Sequence, residues 1–231
     1  KYVQIIFQNP DDRRFFAENK IGNPEQYHLI YGSGVNTDLF YPKKKKKDNN
    51  PISFALFARM IIDKGISEFI EAAFFVNKIY PKTEFLLAGG VDPGSSSSFS
   101  LESLKKKIIG GNGAIKWLGH IDDVKNIMTE VDVIVLPSYY NEGVPLSLIE
   151  AASLELPMIT TNIAGCREIV KSNWNGLLIP PNDVSVLIDA MIWMIKNPEA
   201  RLAMGKNGRK LVLEKFDSRI VVRQTVIIYR V

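Results

Sequence analysis

The sequence predicts an α/β fold, a doubly wound parallel sheet, on three observations. Short apolar runs rich in β-branched residues recur along the chain, turn residues bound each run, and helix-period segments separate one run from the next. Repetition of such strand–helix units argues for parallel strands joined by right-handed crossovers. In chain order, a strand-like stretch at 1–7 is followed by a helix near 11–19, headed by Asp11 and Asp12, and a strand at 27–30. Strands are then predicted at 52–57, 84–88, 115–118, 131–136, 157–161 and 176–179. Each is short and largely apolar, as a strand buried on both faces should be. Helices predicted at 67–80, 101–109, 124–130, 146–154, 166–171 and 184–196 occupy the gaps; Asp122 and Asp123 suit the start of the third. A last helix is read over 217–231 without a terminal cap, and the chain opens without methionine, so it reads as a piece cut from something longer.

Composition narrows the function classes. With 231 residues, 46% hydrophobic, and 12 Phe, 8 Tyr and 3 Trp, the chain can bury a substantial core and is not a disordered segment. No charge-free apolar run nears the ~20 residues that a membrane-spanning helix needs. The single cysteine, Cys166, excludes an internal disulfide framework and fits a reducing, cytoplasmic setting. Two histidines, His28 and His120, leave little for a zinc site. The net charge of +4 rests on lysines 43–47, without which the balance is −1. The basicity is therefore one local loop, and no nucleic-acid partner is expected. A solvated loop is the preferred reading of that run; a contact with anionic lipid headgroups is the sharper one. The aromatics Phe69, Phe74, Phe75, Trp174 and Trp193 recur at helical or strand spacing and are expected in the core.

Doubly wound sheets bind ligands at the carboxyl ends of their strands, so the loops that follow the strands carry the candidate chemistry. After the 52–57 strand, Arg59 and Lys64 put a guanidinium and an ammonium near the start of the next helix. Two cations and a helix N-terminus suit a diphosphate, although loop cations of this kind are commonly just solvated. After the 131–136 strand, Glu142-Gly143-Val144-Pro145-Leu146 leads into a helix carrying Glu150. Pro145 suits a first helical turn, and Gly143 and Val144 would offer backbone N–H groups just ahead of it. From Pro145 to Glu150 the helix rises about 7.5 Å, too far for two carboxylates to share a proton. They can instead hold opposite ends of an elongated, hydroxyl-rich ligand, since a carboxylate accepts from vicinal hydroxyls. Taken singly, each glutamate is as readily a solvated surface acid.

Glu142 and Glu150 bracket seven residues, and this spacing resembles the E-x7-E motif of retaining glycosyltransferases of the GT-B fold, family 4 type. Further segments fall in that family's order. Ser33-Gly34-Val35-Asn36 with Phe40 resembles its "NGVD…F" linker, and Ala58-Arg59 with Lys64-Gly65 resembles "GR…KG". Phe85 to Gly89, Trp117 to Ile121, Ala151 to Pro157 and Asn175 to Leu178 match its later motifs. The resemblance runs from about Tyr31 to Phe216.

It implies the carboxy-terminal half of a GT-B fold, a Rossmann-like domain over 33–231, with 1–32 the remnant of an amino-terminal acceptor domain and linker. It implies transfer of a hexosyl group with retention from a nucleotide-diphosphate sugar, by default a UDP-sugar, to a sugar or lipid-linked glycan acceptor in polysaccharide or glycan biosynthesis. Arg59 and Lys64 would hold and neutralise the departing diphosphate. Glu142 would contact the donor hexose, with Gly143, Val144, Pro145 and Leu146 supplying backbone contacts. Glu150 would hold the ribose hydroxyls and Ile121 would meet the base through its backbone. If the two cations do this work, no metal and no cofactor are needed. Lipid-linked acceptors add peripheral contact at the inner membrane face, and acceptor-side groups would belong to the domain this chain is expected to lack.

Three departures from the family pattern stand out. Leu156 takes the place of a glycine with Glu155 beside it, Ala164-Gly165-Cys166 replaces a Gly-Gly turn, and Asn36 replaces an aspartate. Cys166 is read as a packed small residue. Two alternatives stay open: a nucleotide-sugar epimerase on the same scaffold, and a non-catalytic nucleotide-binding module. A dinucleotide dehydrogenase is the weakest reading, because the glycine run from Gly32 fails G-x-G-x-x-G at its third glycine.

Overall fold

The structure, a computed structural model, describes residues 3–43, 51–110, 113–140 and 143–229. A small leading unit comprises β1 (Ile5–Phe7), α1 (Pro10–Glu18) and β2 (Tyr27–Leu29), with β1 and β2 parallel. Phe7 holds it together, its ring meeting those of Phe16 at 4.9 Å and Tyr27 at 5.1 Å edge-on.

The main sheet has six parallel strands: β3 (Ser53–Phe57), β4 (Glu84–Ala88), β5 (Ile115–Trp117), β6 (Val133–Leu136), β7 (Met158–Thr161) and β8 (Gly176–Ile179). Their spatial order is β5-β4-β3-β6-β7-β8, the doubly wound order in which chain direction across the sheet reverses between β3 and β6. Side chains alternate between two cores. Phe54, Leu56, Phe85, Leu87, Val133 and Val135 enter the one under α2 (Ile66–Ile79) and α7 (Val184–Lys196). Ala55, Phe57, Ala88, Ile134 and Leu136 enter the one that also receives Leu148, Ile149 and Ala152 of α5 (Leu146–Ser153). This two-sided burial is why the strands read as continuous apolar runs.

The seam at the reversal is short. Strand β3 pairs with β4 from Ser53↔Glu84 to Phe57↔Ala88, but with β6 only at Phe54↔Val133 and Ala55↔Ile134. Beyond Ala55 the two strands part, and a crevice opens at their carboxyl ends.

The remaining helices are α3 (Leu101–Ile109), α4 (Val124–Met128), α6 (Cys166–Ile169), α8 (Pro198–Leu211) and α9 (Ser218–Tyr229). Asp123 caps α4 by accepting from the Asn126 N–H at 3.1 Å, as its helix-start position predicts. Several expected elements end earlier than predicted: α4 stops at Met128, α6 at Ile169 and β5 at Trp117, while β6 begins only at Val133. Helix α8 has no counterpart among the predicted elements. The connection after β2 is tied to the start of α9: the Val35 N–H donates to the Phe216 carbonyl at 2.8 Å and the Ser218 N–H to the Val35 carbonyl at 2.9 Å. Asp217 beside it accepts from Arg219 and Thr37, and these bonds, the Arg219 one foremost, hold its carboxyl well below the usual range. Arg209 of α8 donates to the carbonyls of Phe40 and Ser153, fixing the end of α5.

Three expectations are corrected. Phe75 and Trp174 are exposed, at 49% and 37%, because each falls on an outward position of its segment; Phe69 is fully buried, and Phe74 and Trp193 pack against the core. The left-handed residue after α5 is Glu155, with φ of 59°, so Glu155 and not Leu156 stands in the family's glycine position. A Cβ on Gly205 of α8 would fall 2.0 Å from the Glu155 carbonyl oxygen, so that turn is clamped from outside. Cys166 is fully buried, as a packed small residue should be.

Candidate functional site

A cleft of about 400 Å³ lies over the carboxyl ends of β3, β4 and β6, at the reversal of the sheet. It gathers Arg59, Lys64, Ile121, Pro145, Leu146 and Glu150 on one wall or another. Gly143 and Val144 do not line it; Val144 is buried, and its N–H donates to Gln8 Oε1 at 3.2 Å. Glu142 lies outside the described residues, as do lysines 44–47 of the basic run; the Lys43 ammonium donates to the Thr129 hydroxyl.

Local folding explains how the cations arrive. The chain leaves β3 at Phe57, and the Met60 N–H donates to the Gly90 carbonyl at 2.9 Å, which holds Arg59 at the cleft. Its guanidinium pairs with Asp92 at 2.6 Å on a largely exposed side chain. Exposed pairs of this kind contribute about 0–1 kcal/mol, so the guanidinium can exchange partners easily. Lys64 ends a short turn closed by Gly65, whose φ of 75° suits glycine and whose Cβ would strike the Pro137 carbonyl oxygen at 2.3 Å. That close approach brings the Lys64 loop against the loop after β6. The Asp63 carbonyl accepts from the Tyr139 N–H at 2.9 Å and the Tyr140 N–H at 3.2 Å, and the Lys64 ammonium stands 5.2 Å from the Tyr140 ring centre.

The acid wall is α5. Pro145 is its N-cap, one residue before the helix, and Glu150 lies on its second turn facing the cleft. Burial alone pushes the Glu150 carboxyl up to about 7. The sign of the pH effect follows. Between about pH 4.5 and 7 the unfolded chain has lost a proton that the folded chain keeps, so stability contributed by this group falls as pH rises through that window. Glu150→Gln carries no charge to bury. Its melting temperature should therefore climb relative to the parent by about 2–5 °C between pH 5 and 7.5, after discounting for partial exposure. A difference that does not change with pH would show that the carboxyl is not perturbed.

Sequence spacing did not single out Gly89, Gly90 or Ser147 as cleft residues, though all three line it. The Ala88-Gly89-Gly90 step at a strand end was the available signal for the first two; nothing in the spacing marks Ser147. Gly89 has φ of 146°, and its N–H donates to the Gly119 carbonyl at 2.7 Å while its carbonyl accepts from the Trp117 indole at 2.9 Å. No described helix is long and apolar enough to cross a membrane.

Fold and cleft together define a Rossmann-like α/β protein whose crevice joins two basic side chains to one half-buried acid. Residues 38–211 match the profile of the glycosyl transferases group 1, and the chain belongs to that family. It is 29% identical to the N,N'-diacetylbacillosaminyl-diphospho-undecaprenol alpha-1,3-N-acetylgalactosaminyltransferase of Campylobacter jejuni, over 98% of this chain and 60% of that protein. It is 30% identical to the UDP-Gal:alpha-D-GlcNAc-diphosphoundecaprenol alpha-1,3-galactosyltransferase of Escherichia coli, over 93% of this chain and 57% of that one. The solved sucrose-phosphate synthase of Thermosynechococcus elongatus superposes with a TM-score of 0.85 at 27% identity, over 97% of this chain and 57% of that chain. The chain thus spans about 60% of the length of the curated relatives it matches, and its fold is the carboxy-terminal half of a GT-B fold.

Proposed function

We propose that the chain is the donor-binding part of a retaining, metal-independent hexosyltransferase that uses a UDP-sugar. The single observation behind this reading is the cleft that unites Arg59, Lys64, Ile121 and Glu150 at the sheet's reversal. In the reaction the bond between the anomeric carbon and the diphosphate oxygen breaks, negative charge gathers on the departing UDP, and an acceptor hydroxyl oxygen bonds the same carbon with retention while its proton leaves to the diphosphate. Arg59 forks onto its oxygens and Lys64 acts as a point charge, and both bind the transition state more tightly than the ground state. The charge is met by these fixed cations, so a divalent ion has no necessary part. Glu150 accepts from the ribose hydroxyls, the Ile121 backbone meets the uracil, and Glu142 with the backbone of Pro145 and Leu146 at the cleft wall holds the hexose.

The acceptor is a sugar or lipid-linked glycan, in keeping with the undecaprenol-linked substrates in the names of the two relatives. Its binding groups belong to a partner domain of which residues 1–32 are the remnant, and its lipid puts the whole enzyme on the cytoplasmic side at the inner membrane face. Titration calorimetry of this chain with UDP, GDP and ADP tests the donor site. UDP should bind and the other two bind at least tenfold more weakly, with no hexose transferred from UDP-galactose to any acceptor. Absence of binding by all three would sink the site, and turnover by this chain alone would sink the division of labour.

A further inference from the structure

The turn in front of α5 is held from outside its own unit. Pro145, the N-cap of α5, provides no side-chain cap, and the Val144 N–H just before it is taken by Gln8 Oε1 from the turn between β1 and α1. That oxygen lies so close that a Cβ on Gly143 would stand 2.1 Å from it. The turn that presents Gln8 is itself hydrogen-bonded. Asn9 is fully buried, accepts from the Asp12 N–H at 2.8 Å and donates to the Asp12 carboxylate at 2.7 Å. A second tie lies alongside, where Arg167 of α6 pairs with Asp11 at 2.7 Å. A third is steric: a Cβ on Gly32 would come within 2.9 Å of Ile149 and 3.1 Å of Val144.

We propose that Gln8 is a positioning residue for the sugar end of the cleft, fixing the 143–144 backbone that leads into Pro145 and Leu146, the cleft residues that meet the hexose of the donor. This rests on the donor-site reading above. Its consequence is a split in recognition. The nucleotide end, with Arg59, Lys64 and Glu150, is built by the main sheet and α5 alone. The sugar end depends on a side chain from the leading unit, 136 residues away in sequence. Gln8 is exposed, so truncating it leaves the core intact.

The test compares dissociation constants of this chain for UDP and for UDP-galactose, UDP-N-acetylgalactosamine and UDP-glucose, in the parent, Gln8→Ala and Gln8→Glu. At least one UDP-sugar should bind the parent more tightly than UDP. In Gln8→Ala that advantage should shrink about 5–10-fold, as for loss of one hydrogen bond, with UDP affinity within about twofold and the melting temperature lowered by no more than about 5 °C. Gln8→Glu keeps the acceptor oxygen and should keep the ratio, even if its charge weakens all four ligands together. An unchanged ratio in Gln8→Ala overturns the proposal, as does a parent that binds UDP and every UDP-sugar equally. Equal weakening of UDP and UDP-sugar also overturns it, because the effect is then general. Failure of the parent to bind UDP at all would instead remove the donor-site reading.

Discussion

Gly89→Ala should lower the melting temperature by about 8–15 °C and abolish UDP binding. The added methyl would lie 1.7 Å from the Ala58 carbonyl oxygen and 2.7 Å from its carbon, and backbone cannot swing aside as a flexible side chain can. The residue also sits at φ of 146°, where an L side chain is strained. Overpacking of about 1–3 kcal/mol and strain of similar size together give about 4 kcal/mol at the middle of their ranges. At about 2–4 °C per kcal/mol for a chain of this length, the expected shift follows. The damage is local to the site. Gly89 hydrogen-bonds to Gly119 and Trp117, and Ala58 leads directly into Arg59. Differential scanning fluorimetry with and without UDP reads both effects; a drop under about 2 °C would mean that the strand ends yield far more easily than this packing implies.

Arg59→Ala should weaken UDP binding about 10–100-fold while leaving the melting temperature within about 2 °C of the parent. A charge-assisted hydrogen bond contributes about 1.5–3 kcal/mol, and Arg59 can make two in parallel to a phosphate. Stability hardly changes because the Arg59–Asp92 pair is exposed. Part of the loss comes from Asp92, whose carboxylate is left beside the diphosphate without its cation. Asp92→Asn added to Arg59→Ala should therefore recover some affinity, and Arg59→Lys should recover only part, since it keeps the charge but not the fork. Calorimetry of the four proteins checks this. UDP affinity that is indifferent to Arg59 would remove the guanidinium from the site.

Much of the architecture was legible because a strand buried on both faces leaves an unambiguous apolar run. The strands at 53–57 and 84–88 fall where the sequence predicts them for that reason. The cleft residues Arg59, Lys64 and Glu150 were legible through chain position alone, since the fold class says that loops after strands carry ligands. What stayed hidden has a physical cause in each case. Helix α8 buries Met204, Gly205, Gly208 and Leu211, and two of these four are glycines that add nothing to a hydrophobic pattern. It packs by close approach, with Gly208 against Ala152 and Gly205 against the Glu155 carbonyl. Glu155 takes a left-handed conformation that its side chain gives no hint of, and the residue that approaches its carbonyl closely, Gly205, lies in α8, far along the chain. Gln8 could not be singled out either, since a contact spanning 136 positions has no local signature.

The early parting of β3 from β6 after Ala55 also bears on mechanical coherence. With only two registered positions between them, these strands share the shortest register of any pair in the main sheet. Arg59 and Lys64 stand on one bank of that line and Glu150 on the other. A nucleotide gripped from both banks would act as a suture across this seam, so amide protons along β3 and β6 would become slower to exchange when the cleft is filled.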